Sequence, residues 1–111
     1  MKIENTKAQM RKGVLELCIL SIISEKEAYP SDIIKSLKKS ELIVVEGTLY
    51  PLLTRLKNAG ILHYRWEESD TGPPRKYYHI TDDGRNFLDE LRGTWAQLVK
   101  AVNQTTKKLK H

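Results

Sequence analysis

Apolar positions along this chain follow two different periods, and the change from one to the other divides it into parts. Between Thr6 and Ser24, the residues Val14, Leu15, Leu17, Cys18, Ile19, Leu20, Ile22 and Ile23 cover most of a helical wheel. That coverage predicts a helix buried on several sides, at the centre of the core. Pro30 suits the first turn of a second helix, where its missing N–H has no intrahelical acceptor to lose, and Ile33, Ile34 and Leu37 supply that helix with one apolar stripe. A third helix is expected in GTLYPLLTRLKNAG, from Gly47 to Gly60. Its Leu49, Leu52, Leu53 and Leu56 fall at i, i+3, i+4 and i+7, and Gly60 after Asn58 and Ala59 is its stop signal.

After Gly60 the period becomes two. Leu62, Tyr64 and Trp66 share one face of a strand and Ile61, His63 and Arg65 the other; a second strand reads RKYYHI, from Arg75 to Ile80, with Tyr77 and Tyr78 alternating between outside and core. The intervening EESDTGPP is polar and rich in turn formers, which predicts an extended hairpin tip. Thr81 is placed to cap a fourth helix, with Asp82 and Asp83 in the first turn where the helix dipole favours negative charge. Along it Leu88, Leu91, Trp95, Leu98 and Val102 are spaced as the narrow seam of a coiled coil, which calls for another helix, while Phe87 and Val99 lie beside the seam and face the body. After Asn103 a basic, frayed tail is expected.

The expected fold is mainly α with a small antiparallel β-hairpin, in the order α-α-α-β-β-α of a winged helix-turn-helix. Residues 1–80 form the winged unit and 81–111 a C-terminal dimerisation helix with the tail, in one compact unit.

Composition narrows the chemistry. At 111 residues the chain suits one domain with its own core. A net charge of +5 favours a polyanionic partner without requiring one. Cys18 is the single cysteine, so no internal disulfide forms, and its apolar neighbours mark it as a small buried hydrophobe, with a redox or effector role as the alternative. The polar leader MKIENTKAQMRKG has no signal-peptide pattern and the apolar run after it is too short to span a bilayer, so a cytoplasmic protein without membrane contact is expected. His63, His79 and His111 are scattered, although the first two can meet across the hairpin, and Glu67, Glu68 and Asp70 sit on its tip. No catalytic constellation, metal site or cofactor motif emerges, which excludes the common enzyme classes.

The binding chemistry lies on the face of the third helix opposite its leucines. Gly47, Pro51, Thr54 and Asn58 point outward there, flanked by Tyr50 and Arg55. Small residues let a backbone come close to DNA, and Thr, Asn, Tyr and Arg offer hydrogen bonds to base edges and phosphates. Pro51 fits within the first turn if Thr48 is the cap; if the helix begins earlier, the carbonyl of Gly47 loses its partner. Arg75 and Lys76 stand where the phosphate contacts of a wing would be.

GTLYPLLTRLKNAGIL, WEESDTGPPRKYYHIT and DGRNFLDEL together resemble the signature of PadR-type transcriptional regulators, in the short subfamily with one C-terminal helix. The resemblance extends from about Val14 to Trp95. It implies a homodimeric repressor that binds an inverted-repeat DNA operator and is released by a small effector, commonly a phenolic acid or a planar apolar drug. Carried over residue by residue, it points to DNA contacts by Thr48, Tyr50, Thr54, Arg55, Arg75 and Lys76, with Ser31 a weaker candidate. It also implies a dimer through the fourth helix, with Trp95 lining an aromatic-binding cleft or only filling the dimer core. The chain departs from the family in having Tyr29-Pro30 where Tyr-Gly is common. Two other functions compete: a winged-helix protein-interaction module, and a sequence-indifferent nucleoid protein that would use the basic Lys107, Lys108 and Lys110.

Overall fold

A computed structural model describes residues 1–107. Its elements run α1 (Ile3–Lys12), α2 (Leu15–Glu25), α3 (Pro30–Lys39), α4 (Glu46–Asn58), β1 (Leu62–Ser69), β2 (Gly72–Ile80) and α5 (Asp82–Thr106). The winged-helix order holds with one helix more than expected, because the predicted Thr6–Ser24 helix is broken at Gly13. Helix α1 buries none of its residues, and its Ile3 and Met10 remain exposed. After the break, Leu15, Ile19, Leu20 and Ile23 of α2 are buried at the centre of the core. Breaking the chain lets α2 enter that core without α1 in line behind it.

Helices α3 and α4 end in the same way. In α3 the N–H of Glu41 donates to Lys38 O and that of Leu42 to Leu37 O; in α4 Gly60 donates to Lys57 O and Ile61 to Leu56 O. Both are Schellman closures, with Glu41 at φ 64° and Gly60 at φ 78° in the left-handed region. The turn-forming role of Gly60 is as expected. Leu37 and Leu56 lie in the core, so each closure also turns the chain back over apolar surface.

The start of α4 differs from one expectation. The helix begins at Glu46, so Pro51 lies inside it and not in a first turn capped by Thr48. The carbonyl of Gly47 therefore has no i+4 donor, which is tolerable because this turn is open to water.

The hairpin is longer and its tip tighter than the run EESDTGPP implies. Antiparallel pairing runs from Leu62↔Ile80 to Ser69↔Gly72, leaving Asp70 and Thr71 as the turn. Between Glu67↔Arg75 and Ser69↔Gly72 the register shifts, and Pro73 and Pro74 lie in that irregularity on β2. A bulge is where a strand tolerates residues that cannot donate to the ladder. Ala28 bridges Tyr78 through a reciprocal pair of hydrogen bonds, tying the α2–α3 connection to the wing.

Thr81 joins three elements. Its Oγ1 accepts from the Gly84 N–H at 3.0 Å, as expected of a cap, and lies 2.7 Å from Gly60 O as donor. Gly84 is buried against the end of α4, and a Cβ there would overlap Ile61 O and come within 2.7 Å of Ile80 Cγ1. Beyond this point α5 divides. Leu88 is 3% exposed and belongs to the core of its own chain, with Phe87 and Leu91 packed against that core. This corrects the expected seam: Leu88 has no surface left for another subunit, since the first turns of α5 complete the winged unit. Trp95, Leu98 and Val102, at 47%, 51% and 51%, are the exposed remainder. The helix continues to Thr106, past the expected fraying point; Lys108 and Lys110 lie outside the described residues. Among the described residues no helix is long and apolar enough to cross a membrane.

Gly84→Ala is expected to destabilise the fold by about 1–3 kcal/mol, the usual range for forcing volume into a packed site. Urea denaturation would register this as a lower midpoint, whereas an unchanged midpoint would contradict the close approach of α5 to Ile61.

Candidate nucleic-acid interface

Leu49, Leu53 and Leu56 bury one side of α4, and the helical period then sends Gly47, Pro51, Thr54 and Asn58 outward, all exposed. Tyr50, 45% exposed, is on the flank nearer the wing. Thr48 is half-buried on the other flank.

The wing brings a second set of groups to the Tyr50 flank. Adjacent strand residues face opposite ways, so Arg75 and Lys76 part. Arg75 lies with its guanidinium carbon 3.9 Å above the ring of Tyr29, and the Tyr29 ring lies 4.6 Å from that of Tyr77. The guanidinium carbon of Arg65 lies over the Tyr77 ring at 4.7 Å. Arg65 is anchored in turn by Glu27 at 2.9 Å and Glu67 at 3.0 Å, and hydrogen bonds to Glu27 first and Glu67 second raise its pKa above the ordinary guanidinium value. Lys76 extends over Tyr64 at 4.7 Å and Trp66 at 5.5 Å. These aromatic faces hold two long cations without neutralising them.

A groove of about 350 Å³ joins the set, lined by Ser31, Tyr50, Trp66, Arg75 and Lys76 among others, with Glu46 its single acid among the described residues. Four residues singled out from the sequence thus meet in one place: Ser31 at the start of α3, Tyr50 on α4, and Arg75 and Lys76 on β2. Tyr29 and Trp66 were not singled out. Trp66 could have been found by pairing it with Lys76 across the hairpin. The contact of Tyr29 with β2 is non-local and left no mark in the neighbouring sequence.

Arg55 is placed differently. Its guanidinium is ion-paired with Glu16 of α2, on the flank away from the wing. This Arg is not a free cation, and a phosphate would have to compete with a carboxylate for it.

Chemistry elsewhere is sparse. His63 and His79 do meet across the hairpin, with ring centroids 5.5 Å apart, but among the described residues no group of three or more metal-binding side chains exists. Burial raises the Cys18 pKa, so at neutral pH it is a thiol. It lines an apolar cleft of about 390 Å³ between α2, α3 and α5, where Trp95 and Arg92 form the α5 side.

Residues 19–90 match the model of the transcriptional regulator PadR-like family. The chain is similar to a PadR-like transcription factor from Bacteroides fragilis, at 57% identity and a TM-score of 0.77 over 91% of this chain and 98% of that one. It is also similar to a PadR family transcriptional regulator from Eggerthella lenta, at 32% identity and a TM-score of 0.86 over 93% and 90% of the two chains. Transcriptional regulator Rv3488 of Mycobacterium tuberculosis is 30% identical over 94 residues, covering 85% of this chain and 87% of the relative.

Removing the ring beneath Arg75 by Tyr29→Leu is expected to destabilise the protein by about 1–2.5 kcal/mol, the sum of one cation–π and one aromatic pair. Tyr29→Phe keeps both and should be close to neutral in the same urea titration. Equal loss in the two variants would mean that the hydroxyl, and not the stack, matters.

Proposed function

This chain belongs to the PadR-like family of transcriptional regulators, and on that premise we propose that it acts in the cytoplasm as a homodimeric repressor of an inverted-repeat operator, relieved by a small aromatic or apolar effector. The protein is a DNA-binding regulator of the winged-helix class and not an enzyme. The observation that carries the DNA-contacting surface is the groove that gathers Ser31, Tyr50, Arg75 and Lys76 beside the outward face of α4. In this reading α4 enters the major groove, Tyr50, Thr54 and Asn58 meet base edges, the small Gly47 and Pro51 permit close approach, and Arg75 and Lys76 meet phosphates. Thr48 and Arg55 serve the far flank, Arg55 only on leaving Glu16.

The dimer part rests on the exposed stripe Trp95, Leu98 and Val102, with Leu91 at its inner end. Two such stripes packed together would hold two α4 helices about 34–36 Å apart, one turn of DNA. The cleft beside Trp95 is of small-ligand size, and an effector there acts only to the extent that it binds better to a dimer whose α4 spacing no longer fits the operator.

Anisotropy titration of labelled DNA from upstream of the gene, beside a scrambled duplex, tests this directly. Tight binding to the upstream duplex alone is expected, and equal binding to both would favour a sequence-indifferent role. Thr54→Ala and Tyr50→Phe should narrow the gap between the duplexes by about 1–3 kcal/mol per lost base contact, while Arg75→Ala should weaken both alike and lower the salt slope by about 1 per subunit. Trp95→Ala should loosen the dimer in sedimentation or abolish effector response; a normal dimer that still responds would remove Trp95 from both roles.

A further inference from the structure

We propose that Lys12, at the end of α1, is a phosphate contact on the flank of α4 opposite the wing, so that the recognition helix is clamped from both sides. The inference rests on the DNA-binding reading above and extends it to a helix outside the helix-turn-helix.

A helix about 10–12 Å across that lies in a major groove about 12 Å wide has a phosphate strand along each flank. On the wing flank the cations include Arg75, Lys76 and Lys57 of α4, the last two over the Tyr64 ring. On the other flank α4 itself offers only Arg55, whose charge Glu16 offsets. Two cations of α1 that are unpaired among the described residues stand there: Arg11, which shares a groove with Thr48, and Lys12, which also reaches the outward face. Lys12 lines a groove of about 280 Å³ together with Gly47, Thr48, Pro51 and Leu52, the early turns of α4. Gly47 and Pro51 belong to the outward face, and neither has a long side chain to keep a phosphate away. Lys12 is exposed and, among the described residues, has no ion-pair partner.

The break at Gly13 has a purpose in this arrangement. It ends α1 beside the N-terminal part of α4, where the backbone dipole also favours an anion. A lysine, a point charge on a flexible stem, is suited to a phosphate and not to reading a base. Lys12 therefore adds affinity and fixes the seating of α4 without adding sequence preference.

The test is the salt dependence of binding for the parent chain, Lys12→Gln, Lys12→Arg and Arg75→Ala, on the upstream duplex and on a mixed-sequence duplex. Lys12→Gln should weaken both duplexes by the same factor and lower the slope by roughly 0.9 per subunit, and Lys12→Arg should restore it. An unchanged slope for Lys12→Gln beside a flattened one for Arg75→Ala would overturn the Lys12 contact and leave the DNA-binding reading intact. Loss confined to the upstream duplex would overturn it too, by making Lys12 a base reader. Failure of the parent chain to bind either duplex at low salt would overturn both.

Discussion

The burial of Leu49, Leu53 and Leu56 is the constraint from which the rest of the molecule follows. Each of these side chains is worth about 1.5–3 kcal/mol when removed from water, so α4 is held in one orientation on α3 and β1. Once that face is fixed, the 3.6-residue period leaves Gly47, Pro51, Thr54 and Asn58 no place but outside. The irregular composition of the helix follows. Pro51 is accommodated because the carbonyl it orphans is on the wet side, and the core side keeps an unbroken leucine row.

The same core fixes what α4 is surrounded by. Tyr78 is buried and bridged to Ala28, which brings Tyr29 against β2 and puts Arg75 over its ring. Thr81 and Gly84 lock the end of α4 to the start of α5, so that α5 leaves the body in a direction set by α4. That link gives the proposed switch a physical basis. Along the 25 residues of α5 the first turns are core and the later ones are free, and the apolar cleft beside Cys18 and Trp95 lies where the two parts meet. In the proposed dimer, a ligand there would bear on the helix that would set the separation of two α4 copies.

Much of this was legible in the sequence because local patterns and the core agree. The leucine period of α4, Pro30 at a helix start, Gly60 after a helix end and the Thr81 cap are local signals whose partners lie within a few residues. What escaped depended on distant partners or on competition. The Thr6–Ser24 helix breaks at Gly13, and every apolar position counted on its wheel lies after that break, so the wheel by itself carries no information on the mostly polar residues before it. The bulge at Pro73 and Pro74 let the hairpin continue where turn residues suggested a loop. Leu88 fits a coiled-coil seam by spacing, yet its first available apolar surface is its own core. Arg55 sits on the DNA side by helical phase, and only the fold reveals Glu16 beside it. Two of the three motifs that carry the PadR-like resemblance lie in α4 and the wing, elements that meet in the groove.

Mapping amide chemical shifts during titration with duplex DNA would test the central claim, that one face assembled from α3, α4 and the wing meets DNA while the outer half of α5 serves another purpose. The largest changes are expected around Ser31, Thr48 to Asn58, and Arg75 and Lys76, with the Trp95 to Val102 stripe changing little. The opposite pattern, with shifts concentrated on α5 and none on α4 or the wing, would contradict the account.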